Sequence, residues 1–249
     1  MNYDELKTDY DRDGFVVVRD FVTGDALAEL RQNIDRYIRE IVPTLPETHA
    51  FYDDRSRPET VKQLQFMGVD PFFSEFRENA QWRGLAKALL GEEIGTVMEP
   101  EWFNKPPNTV HMTPPHQDNF YFCWRPPSVL TIWLAIENVD EENGCLRYVP
   151  GSHTGGMRPH SASTVLGFSQ ALTDYGPEDE AREVMVEMRA GDAVAHHGDT
   201  VHRADPNRST TRHRPAFGLV VSGVSAEKSA EAQALYEANK ARHREILAG

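Results

Sequence analysis

The run Pro114-Pro115-His116-Gln117-Asp118-Asn119-Phe120-Tyr121-Phe122 sets an imidazole and a carboxylate two residues apart. In an extended chain, side chains at i and i+2 leave the same face, so this spacing predicts that His116 and Asp118 converge while Gln117 points away. A neutral imidazole and a hard carboxylate oxygen suit a divalent first-row metal. Two histidines and one carboxylate on one face, with positions left open, form the donor set of non-haem Fe(II) oxygenases. The pair alone lacks its second histidine, and a surface strand carrying a hydrogen-bonded His and Asp satisfies it as well.

Ala190 to His202 supplies three candidates, His196, His197 and His202, 80 to 86 positions after His116. A later strand pairing beside the first would close that separation. Arg212, His213 and Arg214 then precede Pro215-Ala216-Phe217-Gly218-Leu219, which puts a guanidinium at the entrance to a strand. Arginine grips carboxylates bidentately, as a dicarboxylate co-substrate such as 2-oxoglutarate requires. Each residue taken singly reads as ordinary surface or core. Their combination is far less readily accidental.

The elements that must position these residues are legible in outline. Leu6 to Asp13 reads as a short helix or turn ending at Gly14, and Phe15 to Arg19 as a β-branched strand. Thr23 is a candidate N-cap for a helix whose Leu27, Leu30, Ile34, Ile38 and Ile41 form one apolar stripe, ended by Pro43. Residues 44 to 61 read as a loop and Lys62 to Phe66 as a short extended or helical piece. A helical segment, Phe72 to Leu90, is then closed by Gly91. Candidate strands follow at Ile94 to Met98, Trp102 to Lys105, His116 to Phe122, Val129 to Ile136, Leu146 to Val149, Val184 to Met188, Ala193 to His197 and Pro215 to Val221. Leu130 to Ile136 is almost continuously apolar, which predicts a central strand covered on both faces. About eight strands after leading helices give a mainly β fold with flanking helices, a double-sheet jelly roll. Thr154 to Arg182, with Gly155-Gly156, Pro159, Gly167, Gly176 and Pro177, reads as a mobile lid, and Ala226 to Leu247 as a terminal helix. The expected organisation is a single domain: helices and a strand over 1–92, a jelly-roll core over 93–224, and a C-terminal helix over 225–249.

Composition narrows the class. A net charge of −13 gives no basic stripe for nucleic acid. No apolar run approaches the ~20 residues of a membrane span, and the first residues lack the basic and apolar regions of a signal peptide. Cys123 and Cys145 are too few for a disulfide framework, so a soluble cytoplasmic protein acting on a small molecule is expected. Oligomeric state is not written in these features.

In order and spacing, several motifs resemble the phytanoyl-CoA dioxygenase-like Fe(II)/2-oxoglutarate-dependent oxygenases. They are Asp13-Gly14-Phe15-Val16-Val17, Phe103-Asn104-Lys105-Pro106-Pro107, His116-Gln117-Asp118 and Trp133-Leu134-Ala135, then Asn143-Gly144-Cys145-Leu146, Pro150-Gly151-Ser152-His153, and Gly191-Asp192 leading to His202, Asn207 and Arg214. The resemblance covers most of the chain and implies a double-stranded β-helix, that is, a jelly roll. It makes His116, Asp118 and His202 the catalytic iron ligands, His202 being followed by Asn207 as in the family. It assigns 2-oxoglutarate to Arg214, two residues before Ala216, with Lys62 and Trp133 assisting. It also implies O2 as co-substrate, release of succinate and CO2, and hydroxylation of an unactivated C–H bond. The chain departs from the pattern at Ala204, where many relatives carry a hydroxyl residue, and at Thr210-Thr211, which loosens the register of Arg214 against Arg212.

Pocket residues for the substrate are expected among Glu101, Lys105, His111, Asn119, Tyr121 and Trp124, a mixture that suits a small polar metabolite or natural product. Two other classes compete: an inactive jelly-roll metal-binding protein, and a cupin-like hydrolase or isomerase that would need neither Arg214 nor O2.

Overall fold

The computed structural model describes residues 1–165 and 168–248, with side chains as far as Ile246; Gly167 of the expected lid and Leu247 of the terminal helix fall outside that description. Helix α1 (Tyr3–Asp13) leads into β1 (Phe15–Val18) and α2 (Gly24–Arg36), which runs on through a π-turn to Ile41. Next come β2 (Ala50–Tyr52), β3 (Val61–Leu64), α3 (Pro71–Arg77), α4 (Ala80–Leu90), β4 (Ile94–Val97), β5 (Glu101–Phe103) and β6 (Thr113–His116). A short helix, α5 (Asn119–Phe122), precedes β7 (Trp124–Arg125), β8 (Val129–Ala135) and β9 (Leu146–Tyr148). The hairpin β10 (His160–Ala162) and β11 (Gln170–Leu172) is followed by α6 (Pro177–Arg182), β12 (Val184–Val186), β13 (Ala193–His197), β14 (His202–Ala204), β15 (Ala216–Gly223), β16 (Glu227–Lys228) and α7 (Ala230–Ala248).

Two sheets carry the fold. The larger runs β1-β13-β8-β15-β5-β3-β2, with β4 also on β15, and the smaller runs β12-β9-β14-β6. Strand β8 is buried at every position. Its alternate residues explain why its sequence reads as unbroken: Leu130, Ile132 and Leu134 pack outward with Leu30, Ile34, Leu85 and Leu89 of the helices, whereas Trp133 and Ala135 pack inward with Leu146 and Tyr148 of the smaller sheet. Period-2 alternation thus divides one apolar strand between two cores.

Several expected elements differ in the structure. The strand read from His116 to Phe122 stops at His116, and Asp118 has helical backbone (φ −57°, ψ −37°) at the start of α5. The segment read as a loop over 44–61 contains β2, which pairs with β3 so that Ala50, Val61 and Leu64 join the larger core. The helical stretch over 72–90 is two helices, the second started afresh by Asn79, whose side chain accepts from Gln81 N–H. Strand β14, too short to show a period, carries no sequence signal of its own. The expected lid has its own structure: the β10–β11 hairpin is latched to α7, where Asn239 Nδ2 donates to the His160 carbonyl (3.2 Å) and His243 Nδ1 donates to that of Ser163.

Candidate metal centre

Pairing of β14 with β6 sets His202 directly across from His116. Each ring is oriented by its own backbone: His116 Nδ1 donates to the Pro114 carbonyl (2.7 Å) and His202 Nδ1 to that of Thr200 (3.0 Å). Since a carbonyl can only accept, each Nδ1 carries a proton and each Nε2 is turned toward the Asp118 carboxylate. Those Nε2 atoms lie 3.3 Å and 3.5 Å from Asp118 Oδ1, so three ligand atoms lie within 4.8 Å of one another. The turn after β6, rather than extension, delivers Asp118 to this point. The turn is held by Asn119 N–H donating to the Gly198 carbonyl (2.8 Å), an approach so close that a Cβ at Gly198 would sit 2.9 Å from that of Asn119.

The other carboxylate oxygen is occupied. Oδ2 of Asp118 accepts from the Thr131 hydroxyl (2.6 Å) and from His196 Nε2 (3.0 Å). His196 in turn meets the Tyr148 hydroxyl at Nδ1 (3.0 Å), and the Tyr148 ring stacks with both Phe15 and His202. Desolvation would raise the Asp118 carboxyl, but His202, His116 and His196 together hold it well below the usual range. Burial and the neighbouring His116 push His202 well down, leaving a neutral imidazole suited to ligation. A deprotonated carboxylate and two imidazoles, with Nε2 and Oδ1 atoms facing one point, fit a divalent iron.

Gln117 lies between the ligand candidates and faces away, fully buried. Its side chain donates to the carbonyls of Asp199 (2.6 Å) and Gly156 (2.9 Å) and accepts from Arg158 N–H (2.7 Å), while its own N–H donates to His160 Nε2 (3.1 Å).

A cleft lies beside this cluster, lined in part by Lys62, Gln63, Phe103, Lys105, Thr113 and Arg214. Arg214 is 4 % exposed, its guanidinium sits 5.2 Å from the centre of the Trp133 ring, and its Nε has no hydrogen-bond partner among the described residues. Burial pulls the guanidinium down to about 10. Arg214 and Lys105 exchange main-chain hydrogen bonds, and Asn207 Nδ2 ties them by donating to the carbonyls of Lys105 (2.8 Å) and Arg212 (2.7 Å). Arg212 itself is engaged by Asp140 (2.7 and 2.8 Å) and Glu142 at the surface. Lys62 lines the cleft but is paired with Asp53 (2.8 Å), while Lys105 Nζ is buried and donates to the Ala204 carbonyl (3.1 Å).

The remaining substrate candidates separate. Glu101, on the inward face of β5, accepts from Gln63 Nε2 (3.1 Å), and desolvation raises its carboxyl to about 7, with Asp118 adding to the shift. Tyr121 stands edge-on to His116 at 5.8 Å, its hydroxyl donating to the Gln170 carbonyl (3.2 Å). His111 is exposed on the rim of the cleft beside Met112. Asn119 does not face the cleft: its amide bonds to Asp199 Oδ1 (2.9 Å) and brackets the Trp124 backbone, so it is a staple of the turn. Trp124 is likewise turned elsewhere, covered by Lys228 at 4.1 Å from its ring. Thr131 and Tyr148 were not expected to bear on the site. A hydroxyl in an otherwise apolar central strand was the signal for Thr131; Tyr148 carried none.

A sequence profile described as phytanoyl-CoA dioxygenase matches residues 10–216. The chain belongs to the phytanoyl-CoA dioxygenase family. It is 28% identical over 244 residues to the phytanoyl-CoA dioxygenase of Arabidopsis thaliana, covering 84% of each chain. It is 29% identical over 255 residues to the peroxisomal phytanoyl-CoA dioxygenase of Mus musculus, covering 91% of this chain and 73% of the mouse protein. Among solved structures it is similar to the 2-oxoglutarate complex of EvdO2 from Micromonospora carbonacea var. aurantiaca (TM-score 0.71, 26% identity, 91% and 92% of the two chains). The fold is shared with the epimerase SnoN from nogalamycin biosynthesis, solved with Fe3+ and α-ketoglutarate (TM-score 0.74, 23% identity, 94% and 88%). As a phytanoyl-CoA dioxygenase family member the chain is an iron- and 2-oxoglutarate-dependent dioxygenase on a jelly-roll fold, which favours the oxygenase over the scaffold and hydrolase readings.

Proposed function

We propose that His116, Asp118 and His202 hold Fe(II), that Arg214 receives the distal carboxylate of 2-oxoglutarate, and that the enzyme hydroxylates a C–H bond of a small polar molecule. With 2-oxoglutarate and O2, bound iron supplies the oxidative chemistry, splitting the co-substrate to succinate and CO2 while one oxygen atom enters the substrate. The chain's part is to bind, aim and exclude water.

One observation carries the reading. On β8, Thr131 holds Asp118 and Trp133, two residues further on the same face, lies beside the Arg214 guanidinium. Two residues of strand span about 7 Å, the length scale of a five-carbon dicarboxylate whose near end meets the metal. Arg214, buried and short of one partner, is preorganised for a carboxylate at the far end. Trp133 packs against its face, and Lys62 adds positive charge along the cleft.

Glu101 supports the polar character of the substrate, since a carboxyl on the inward face of β5, with Gln63 on one oxygen, offers an acceptor to a substrate amine or hydroxyl. Lys105 is committed to main-chain carbonyls and serves the cleft as charge and wall. His111 on the rim adds to the polar lining, while Tyr121 stands beside His116 with its hydroxyl engaged by Gln170. No helix among the described residues is long and apolar enough to cross a membrane. Both cysteines are buried and unpaired, which supports a reducing compartment, the cytoplasm in this proposal.

The deciding test is an anaerobic titration of metal-free protein with Fe(II) and then 2-oxoglutarate. A weak visible charge-transfer band that disappears in His202→Ala is expected, followed by substrate screening through succinate release. Iron binding without that band would remove the co-substrate assignment.

A further inference from the structure

We propose that His196 is a positioning residue that confines Asp118 to one metal-facing oxygen, as the middle member of a relay from the Tyr148 hydroxyl through the imidazole to the carboxylate. The inference rests on the ligand set proposed above.

The proton positions in the relay follow from what each atom can do. A carboxylate only accepts, so His196 Nε2, 3.0 Å from Asp118 Oδ2, carries the hydrogen. The other ring nitrogen, Nδ1, is hydrogen-bonded to the Tyr148 hydroxyl at 3.0 Å, so the imidazole is held at both ends. Both rings of the relay are buried, and no nitrogen or oxygen in it is left over.

Asp118 can present one oxygen or two to a cation. With Thr131 and His196 both donating to Oδ2, only Oδ1 faces the two Nε2 atoms. A second bound oxygen would consume a position that the co-substrate needs. Thr131 alone could satisfy Oδ2, but a hydroxyl rotates; the imidazole is fixed at its far side by Tyr148. Tyr148 is itself fixed by register, lying across from His202 on the neighbouring strand and stacked on its ring at 5.5 Å and 25°. The relay therefore links the orientation of the carboxylate to the ring opposite it. A phenylalanine would fill the same inward position on β13 without these bonds, so the role is separable from packing.

The test uses the full chain, stripped of metal and titrated anaerobically with Co(II) as a spectroscopic probe and with Fe(II). Three variants are compared: His196→Phe, which fills space without a donor; His196→Gln, which keeps a side-chain N–H; and Tyr148→Phe. Outer-shell partners of metal ligands typically contribute about 10–100-fold in affinity, and a loss in that range is expected for His196→Phe. A changed Co(II) ligand-field spectrum should accompany it, with substantial recovery in His196→Gln and a smaller loss in Tyr148→Phe. Wild-type affinity and spectrum in folded His196→Phe would overturn the relay, as would His196→Gln behaving no better than His196→Phe. Should His196→Phe fail to fold, unchanged binding and spectrum in Tyr148→Phe would overturn it. Wild-type protein that binds neither ion would overturn the ligand set and the relay together.

Discussion

The two ends of the site are finished differently. At the metal end the histidine Nδ1 atoms and Asp118 Oδ2 are tied back by a partner, leaving Nε2 and Oδ1 atoms aimed at one point. At the arginine end the burial is as deep, yet Arg214 keeps an Nε with no partner and rests on the face of Trp133. Leaving a buried donor unmatched costs free energy, so this end is poised for an incoming acceptor. A permanent ligand is prepared for by using up every competing bond, and a transient one by leaving a bond unmade.

Breaking the metal end should have the largest effect. Asp118→Ala is expected to abolish iron-dependent 2-oxoglutarate turnover and to remove the Co(II) spectrum, because both rings then face a gap; retained turnover would shift the ligand assignment. Next in size is Arg214→Ala. Removing one partner of a buried charge pair typically costs 2–5 kcal/mol, so the concentration of 2-oxoglutarate needed should rise about a hundredfold, whereas Arg212→Ala, whose guanidinium is engaged by Asp140 and Glu142, should leave it unchanged. The reverse pattern would move the anion site to Arg212.

Glu101 sharpens the contrast through pH. Its carboxyl, raised from 4.5 to about 7 mainly by desolvation, binds more proton in the folded than in the unfolded protein between those values. Stability is therefore highest below the lower value and falls as pH rises through that window, by at most about 3 kcal/mol. Metal-free Glu101→Gln should match wild type in thermal melting near pH 4.5 and exceed it at pH 8; equal melting at both would refute the raised carboxyl. The smallest effect is expected for Lys62→Ala, a few-fold in 2-oxoglutarate requirement, since its ammonium is already paired with Asp53. A loss as large as that of Arg214→Ala would make Lys62 a principal anion ligand.

Much of this was legible in the chain. The apolar run of β8 and the stripe Leu27, Leu30, Ile34 announced a central strand and the helix packed behind it, because burial on defined faces imposes period 2 or 3.6. His116 and Asp118 were legible as a pair, although the reason they converge is a turn rather than a strand: i and i+2 spacing does not distinguish the two. What stayed hidden depended on partners far away in sequence. Asn119 and Trp124, next to the motif, bond to Asp199 and pack on Lys228, and nothing local says so. The three-residue strands β9 and β14 are set by their neighbours' hydrogen bonds and are too short to carry a period.

Gln117 joins the two ligand candidates to the base of the β10–β11 hairpin through Gly156, Arg158 and His160. Loops of that kind are the parts an enzyme can remodel to take a new substrate without touching its chemistry. Here the root of that piece is bolted to the catalytic segment through the Gln117 side chain and main chain, and its returning strand through Tyr121 and Gln170, so insertions at the root should be penalised. Laboratory evolution of a new specificity in this scaffold has little freedom at 156–160, where each change would pull on the segment between His116 and Asp118.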